Sequence, residues 1–383
     1  MVPNGWTQKF LEDIAEFSQG IQVNPDKQFT EYSEGMVRFL RITDFVDQDE
    51  TPRFIQNPSN RFIVNNTDLS MVRYGSAGAG DLVRGLSGAI ANNLFRVIPN
   101  ELEVTKDYLW VYLSQSKIKH FLFGNSTSST MPAVSFKLVG KVLVDLPPLP
   151  EQQKIAKILS TWDNAISTTE RLIDNSKQQK KALMQQLLTG KKRLLDDEGK
   201  RFEGEWKSSN FSKVFEVANN KNSQVKSSDY LESGTIPIVD QGKKLVSGYT
   251  NKQDIYSDTP VIIFGDHTRV VKWVDFNFCQ GADGTQVLKP NSILETKFAY
   301  YLLSHTPIPN LGYSRHMREL KEKSFKYPID KLEQQKIAAV LTNADKEIEL
   351  LEQQLADLQQ EKKALMQVLL TGKVRVLVNG EVA

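Results

Sequence analysis

The stretch ALMQQLLTGK, Ala182 to Lys191, returns almost letter for letter as ALMQVLLTGK, Ala364 to Lys373. The agreement extends backwards without a gap: Glu151-Gln152-Gln153-Lys154-Ile155-Ala156 recurs as Glu333-Gln334-Gln335-Lys336-Ile337-Ala338, again 182 positions later. An ungapped repeat of this length constrains the architecture before any local propensity does. Whatever the first copy builds, the second must build too.

Each copy reads as a helix. From Leu332 to Leu370 there is no proline or glycine, and Ile337, Leu341, Ala344, Ile348, Leu351, Leu355, Leu358, Leu365 and Leu369 follow intervals of four and three, a heptad seam. Lys362 is the one polar residue at a seam position. The first copy keeps the same frame at Ile155, Leu159, Trp162, Ile166, Ile173, Leu183 and Leu187, with Thr169, Ser176 and Lys180 interrupting it. Each helix should run about 38 to 40 residues, roughly 60 Å at 1.5 Å per residue. Gly190 and Gly372, just past the last apolar positions and beside lysines, are stop signals. So narrow a seam on an isolated helix would leave its leucines in water, so an intramolecular coiled coil of the two copies is expected. The competing reading is two ordinary amphipathic helices on separate domains; the length and strict heptad of the second copy argue against it. Leu146-Pro147-Pro148-Leu149-Pro150 before one copy and Tyr327-Pro328-Ile329 before the other are matching stiff lead-ins.

A fainter repeat covers the rest. Trp6 opens the chain in GWTQKFLEDIAEF, and Trp206 opens the second half in EWKSSNFSKVFEV. LFRVIPNELEVTKDYLWVYLSQ (Leu94 to Gln115) parallels TQVLKPNSILETKFAYYLLSH (Thr285 to His305): an alternating strand, a Pro-Asn turn and a helix led by Thr-Lys. Between these anchors the halves share almost nothing. The expected class is α+β, with two α/β globular domains in tandem at 1–150 and 205–330, long helices at 151–190 and 331–373, and a charged, mobile linker at 191–204.

Composition narrows the function classes. The 383 residues suffice for two or three domains with their own cores. No run of about 18 apolar residues exists, and the first thirty residues lack a basic start followed by an apolar stretch, which predicts a cytoplasmic protein without a membrane span. One cysteine, Cys279, leaves no disulfide framework or thiolate zinc site, and the four histidines lack metal-ligand spacing, so no metal and no cofactor are expected. A net charge of +2 does not announce a nucleic-acid binder; any such role must come from local patches.

A proline-rich turn, EQQKIA, and a long heptad helix ending in LLTGK, found twice after two dissimilar globules that each open on a tryptophan, resemble the specificity subunit of type I restriction-modification enzymes. The likeness covers nearly the whole chain, and the doubled helix is its specific part. It implies that each globule is a target recognition domain reading one half of an asymmetric, two-part site in double-stranded DNA. It further implies that the helices form an antiparallel spacer docking two methyltransferase subunits, with translocase/nuclease subunits joining for cleavage. Geometry permits this, since half-sites on one side of the duplex lie about 34 Å apart. The heptad register of an antiparallel pair stays open.

Reading bases needs Arg or Lys for guanine and Asn or Gln for adenine, presented from loops or a helix. In the second domain PVIIFGDHTRVVKWVDF (Pro260 to Phe276) reads as a buried strand followed by a polar loop with His267, Thr268, Arg269 and Lys272. YSRHMRELKEKSFK (Tyr313 to Lys326) gathers Arg315, His316, Arg318, Lys321, Lys323 and Lys326, and is either a DNA-facing strip or a solvated helix surface. Gln241 heads a further loop with Lys243 and Lys244. In the first domain Arg41, Arg84, Asn92 and Asn93 have the matching chemistry, and the Ser/Thr run in GNSTSSTMPAVS (Gly124 to Ser135) suits phosphates. Singly, each of these first-domain residues is better read as an ordinary surface residue; as a set they are more persuasive than singly.

Catalytic motifs are lacking. GSAGAGDLVRG (Gly75 to Gly85) fits neither G-x-G-x-x-G nor G-x-x-x-x-G-K-[ST], and Asp266-His267 has no second acid or nucleophile at a convincing spacing. No Asn-Pro-Pro-aromatic motif for methylating a flipped base occurs. A non-catalytic subunit is expected, ahead of a self-contained DNA-modifying enzyme or a coiled-coil scaffold without DNA readout.

Overall fold

Both repeat copies form single helices of 39 residues, Leu149–Leu187 and Lys331–Leu369, in a computed structural model that describes residues 3–47, 49–75, 78–126, 133–282, 284–312, 314–378 and 381–382. The chain divides into two compact units, residues 1–169 with 354–383 and residues 170–353, so each long helix gives one end to each unit.

In the first unit, Ala15–Gln19, Leu94–Pro99, Leu69–Val72 and Leu82–Val83 lie in that order in an antiparallel sheet. A second sheet aligns Arg53–Gln56, Met36–Leu40, Gly88–Ile90 and Ile63–Val64, and Thr7–Phe10 pairs with Leu143–Leu146 as a ribbon. The second unit repeats the plan. Phe215–Val217, Thr285–Pro290, Val261–Gly265 and Val271–Val274 form its antiparallel sheet, and Trp206–Asn210 pairs with Ser324–Pro328. Its other sheet runs Gln224–Val225, Cys279–Gly281, Ile236–Val239 and Gly248–Thr250. Here the units diverge. The edge strand Gln224–Val225 precedes its sheet-mates in the chain and pairs in parallel, whereas Ile63–Val64 comes later than Met36–Leu40 and pairs antiparallel. Loops rather than crossover helices join most neighbouring strands, so the globules are strand-rich; among the described residues parallel pairing amounts to three short ladders and the single bridge of Ile21 to Ala91.

The repeated motifs meet at one joint in each unit. In the first, the fully buried Glu151 carboxylate accepts from Arg375 Nε and Nη2, both at 2.8 Å, and from the Trp6 indole at 3.0 Å. In the second, Glu333 accepts from Arg193 Nε at 2.5 Å and Nη2 at 2.7 Å, and the guanidinium lies over the Trp206 ring. The next residue serves the short helices. Gln152 accepts from Thr105 N at 2.9 Å and donates to Glu103 O and Pro147 O, fixing the start of Lys106–Leu113; Gln334 accepts from Glu295 N at 2.6 Å and donates to Ile293 O and Pro328 O, fixing the start of Thr296–His305. Ile155, Ala156, Leu159, Leu369 and Leu370 share the first core with Trp6, Tyr108 and Val144. Leu187, Leu188, Ile337, Ala338 and Leu341 share the second with Phe211, Phe298 and Tyr301. EQQKIA and LLTGK thus recur because each weld needs the start of one helix and the end of the other.

None of the seam positions is exposed. The polar breaks in the seam find partners: Lys362 pairs with Asp163 in the first unit, Lys180 with Asp345 in the second, and Ser176 Oγ donates to Glu347 at 3.1 Å. Thr169 turns its hydroxyl back to Ala165 O at 2.9 Å. Within each unit numbers rise along one helix as they fall along the other, so the segments are antiparallel, in the register these ion pairs set. Residues 191–204 differ from the mobile linker expected: Leu195 and Arg201 bridge, Asp196 accepts from Glu198 N and Lys200 N, Arg193 is in the joint and Phe202 is buried. Its charges close a turn rather than extend a tether. Among the described residues no helix is long and apolar enough to cross a membrane.

Candidate nucleic-acid interface

The first unit gathers Arg41, Asn92 and Asn93 around one hollow of about 510 Å³, with Gln22, Gln28 and Tyr74. Arg41 stands before the short helix Ile42–Val46 and is not a free cation. Its Nε donates to Asp44 at 3.0 Å, and Nη2 donates to Glu50 and to Thr51 O, both at 3.0 Å. The buried Asp44 carboxylate also takes Arg38 at 3.2 Å. The hollow is therefore an amide-rich surface with a neutralised arginine, better matched to adenine edges than to phosphate. Among the described residues the buried Asn93 Oδ1 has no hydrogen-bond partner, while Asn92 Nδ2 donates to Gln22 at 3.4 Å. Arg84 does not line this hollow. It lies over the Trp110 ring at 4.4 Å and pairs with Asp107 at 2.7 Å.

In the second unit three segments lock together. Asp266, following the buried strand Val261–Gly265, accepts from Met317 N at 2.6 Å through its carboxylate and from His316 N at 2.8 Å through its carbonyl. The His267 ring contacts Ser314 O at 3.1 Å, and Gln241 Oε1 accepts from His267 N at 3.0 Å. Thr268 Oγ1 donates to Gln241 O at 2.6 Å. The turn at 265–269 thus sits between the Gln241 loop and the 314–317 segment. A Cβ on Gly265 or Gly284 would run into Gln241, within 3.0 Å and 2.6 Å, so glycine lets that loop approach.

The sequence candidates therefore separate by burial. Lys243, Thr268, Arg315 and Arg318 are exposed, with Lys244 and Lys321 beside them, and Arg315 and Arg318 flank a hollow of about 530 Å³ with Gln286. His316 is wholly buried, its ring against Asp266 O and Leu311 N. Lys272 is buried as well; burial pushes its ammonium below the usual lysine range, partly offset by Asp240. Arg269 has φ of 61° and donates to Ile308 O at 3.1 Å. These three brace the surface from behind. YSRHMRELKEKSFK is only partly helical, as Met317–Lys321 gives way to the strand Ser324–Pro328. Tyr313, residues 76–77 of the glycine-rich stretch and residues 127–132 of the Ser/Thr run lie outside the described residues. Asp266 and His267 are spent on these structural bonds, and among the described residues no group of three or more His, Cys, Asp and Glu side chains could hold a metal.

Sequence reasoning passed over Gln22, Gln28, Tyr74 and Asp240. Gly20 was the available signal, because a Cβ there would lie 2.1 Å from Ala91 O, where the Gln22 loop passes Asn92.

Tandem units of one plan with unlike exposed loops define a class of two-headed repeat proteins. The description "Type I restriction modification DNA specificity domain" matches residues 3–176 and again 203–360, and the chain belongs to that family. It is similar to the type I restriction enzyme MjaVIII specificity subunit of Methanocaldococcus jannaschii, 25% identical over 409 aligned positions covering 98% of this chain and 94% of that one. A 40% identity to the EcoR124I/EcoR124II specificity subunit of Escherichia coli spans 88 residues, 22% of each chain. The crystal structure of a type I restriction-modification S subunit from M. genitalium shares the fold, with a TM-score of 0.64, 14% identity, and 96% of this chain and 97% of that chain covered.

Proposed function

We propose that this chain is the sequence-reading subunit of a type I restriction-modification complex. Its target recognition domains, 1–150 and 205–330, each take one half of an asymmetric bipartite site in double-stranded DNA. The helices 151–190 and 331–373 form an antiparallel coiled coil that sets the gap and docks two methyltransferase subunits, which translocase/nuclease subunits join for cleavage. The chain is itself non-catalytic and works in the cytoplasm.

One observation supports this above the rest: the two joints share Glu151 and Glu333, Gln152 and Gln334, and Arg375 and Arg193, each pair 182 positions apart, with a tryptophan against each, while the loops they carry differ in chemistry. The first presents amides around a neutralised arginine, and the second presents Lys243, Lys244, Arg315 and Arg318. Unlike faces on a repeated frame suit two different half-sites. In the second unit Thr268, Arg315 and Arg318, with Gln241 and Lys243 in the adjoining loop, are the proposed readers; in the first, Asn92, Asn93 and Arg41, which must exchange Glu50 or Asp44 for a base.

The test is to incubate the purified full chain with a pool of randomised duplexes and sequence what it retains. Two short motifs at a fixed separation are expected. A single unbroken motif, or none, refutes the bipartite reading, and methylation or cleavage by the chain alone with S-adenosylmethionine or magnesium refutes the non-catalytic role.

A further inference from the structure

Lys272 belongs to the strand Val271–Val274, but its side chain leaves that sheet to serve a loop of the other. Its ammonium donates to Asp240 O at 2.7 Å and to Lys244 O, and lies 3.7 Å from the Asp240 carboxylate. The same carboxylate accepts from Gly242 N at 2.8 Å and from the Ser247 hydroxyl at 2.5 Å. Residues 240–247, which join Ile236–Val239 to Gly248–Thr250, are thus wound around a buried positive charge, as carbonyls gather around a bound cation.

The choice of residue is informative. Burying an ammonium carries a steep desolvation cost before its contacts return anything, and an apolar side chain of similar length would fill the space without that cost. What it could not do is hold two carbonyls of one loop. The loop is in turn tied through Gln241 to His267 and Thr268, and the turn is tied through Asp266 to His316 and Met317. Lys272 therefore stands at the root of a chain of bonds that ends at His316 and Met317, between the exposed Arg315 and Arg318.

We propose that Lys272 is a positioning residue for sequence discrimination: it fixes the 240–247 loop, and through Gln241 the 265–269 turn, in the arrangement that meets one half-site, while touching no DNA itself. This rests on the DNA-reading function proposed above.

The test repeats the randomised-duplex selection with the full chain carrying Lys272→Met, and separately Ser247→Ala, which loosens the same loop from the other side of Asp240. Lys272→Met should lower the preference for one half-site on the order of tenfold and leave the other half-site's motif intact. Binding to non-cognate duplex, and its slope against salt, should not change, because no phosphate contact is lost. Ser247→Ala should show the same pattern more weakly, and it decides the matter if Lys272→Met does not fold. Retention of both half-site motifs by the folded variant overturns the inference, as does a salt slope reduced by about one, the mark of a direct phosphate contact. A wild-type chain that enriches no motif removes the DNA reading and this inference with it; a two-part wild-type motif left whole by the variants removes this inference alone.

Discussion

Glu151 accepts three hydrogen bonds, two from Arg375 and one from the Trp6 indole, at a point with no solvent contact. Glu333 receives Arg193 in the same bidentate way, but Trp206 Nε1 is buried and makes no hydrogen bond among the described residues. Removing one partner of a buried pair typically costs 3 to 5 kcal/mol, and both guanidiniums retain some solvent access, which places the loss near the lower end. Glu151→Ala should therefore destabilise the first unit by about 3 kcal/mol, and Glu333→Ala should destabilise the second by less, the difference being the charge-assisted indole bond of roughly 1.5 kcal/mol or more. Hydrogen exchange under mild denaturant, read separately in each unit, checks the ordering. Equal losses would mean that the indole bond contributes nothing.

At the scale of elements, both long helices end on a left-handed glycine, Gly190 at φ 73° and Gly372 at φ 64°. A side chain there is strained by roughly 1–2 kcal/mol, and the neighbours add to it unequally. A Cβ on Gly372 would lie 2.3 Å from Pro3 Cγ, whereas one on Gly190 would lie 3.1 Å from the Trp206 ring. Gly372→Ala should lower the melting temperature more than Gly190→Ala; the reverse order would contradict this account of the joint. If the helices set the spacer, inserting one heptad into each, after Thr169 and after Gln353, adds about 10 Å and should lengthen the preferred gap by at most about three base pairs; an unchanged gap with retained binding would place the ruler elsewhere. The helices were legible because a heptad is written in the sequence itself and its stop glycines stand beside it. The strand, turn and capped helix from Leu94 to Leu113 and from Thr285 to His305 were legible for the same reason, as local pattern. The site was less so. His316 and Lys272 carry the right chemistry for DNA, yet their partners lie at Asp266, Asp240 and Lys244, fixed by the fold at sequence distances no periodicity reports. Arg41 carried the same chemistry, and its pairing with Asp44 three residues on comes from the structure.

For the whole molecule, the consequential fact is that neither copy of the repeat completes a unit alone: residues 354–383 belong with 1–169, and both long helices contribute to both cores. The proposed recognition surfaces are loops set on welded frames, so they can differ while the frame repeats, much as the edge strands Ile63–Val64 and Gln224–Val225 differ between the units. That separation of frame from surface is what a protein reading two unlike half-sites requires. The central claim, that this chain alone dictates which two-part sequence is modified, is tested most directly by mapping adenine methylation in DNA from cells expressing it with the methyltransferase subunit of its system, against cells expressing that methyltransferase alone. The account predicts a bipartite motif with a fixed gap, methylated only when this chain is present. Methylation that is the same with and without it, given confirmed expression and an active methyltransferase, would contradict the account.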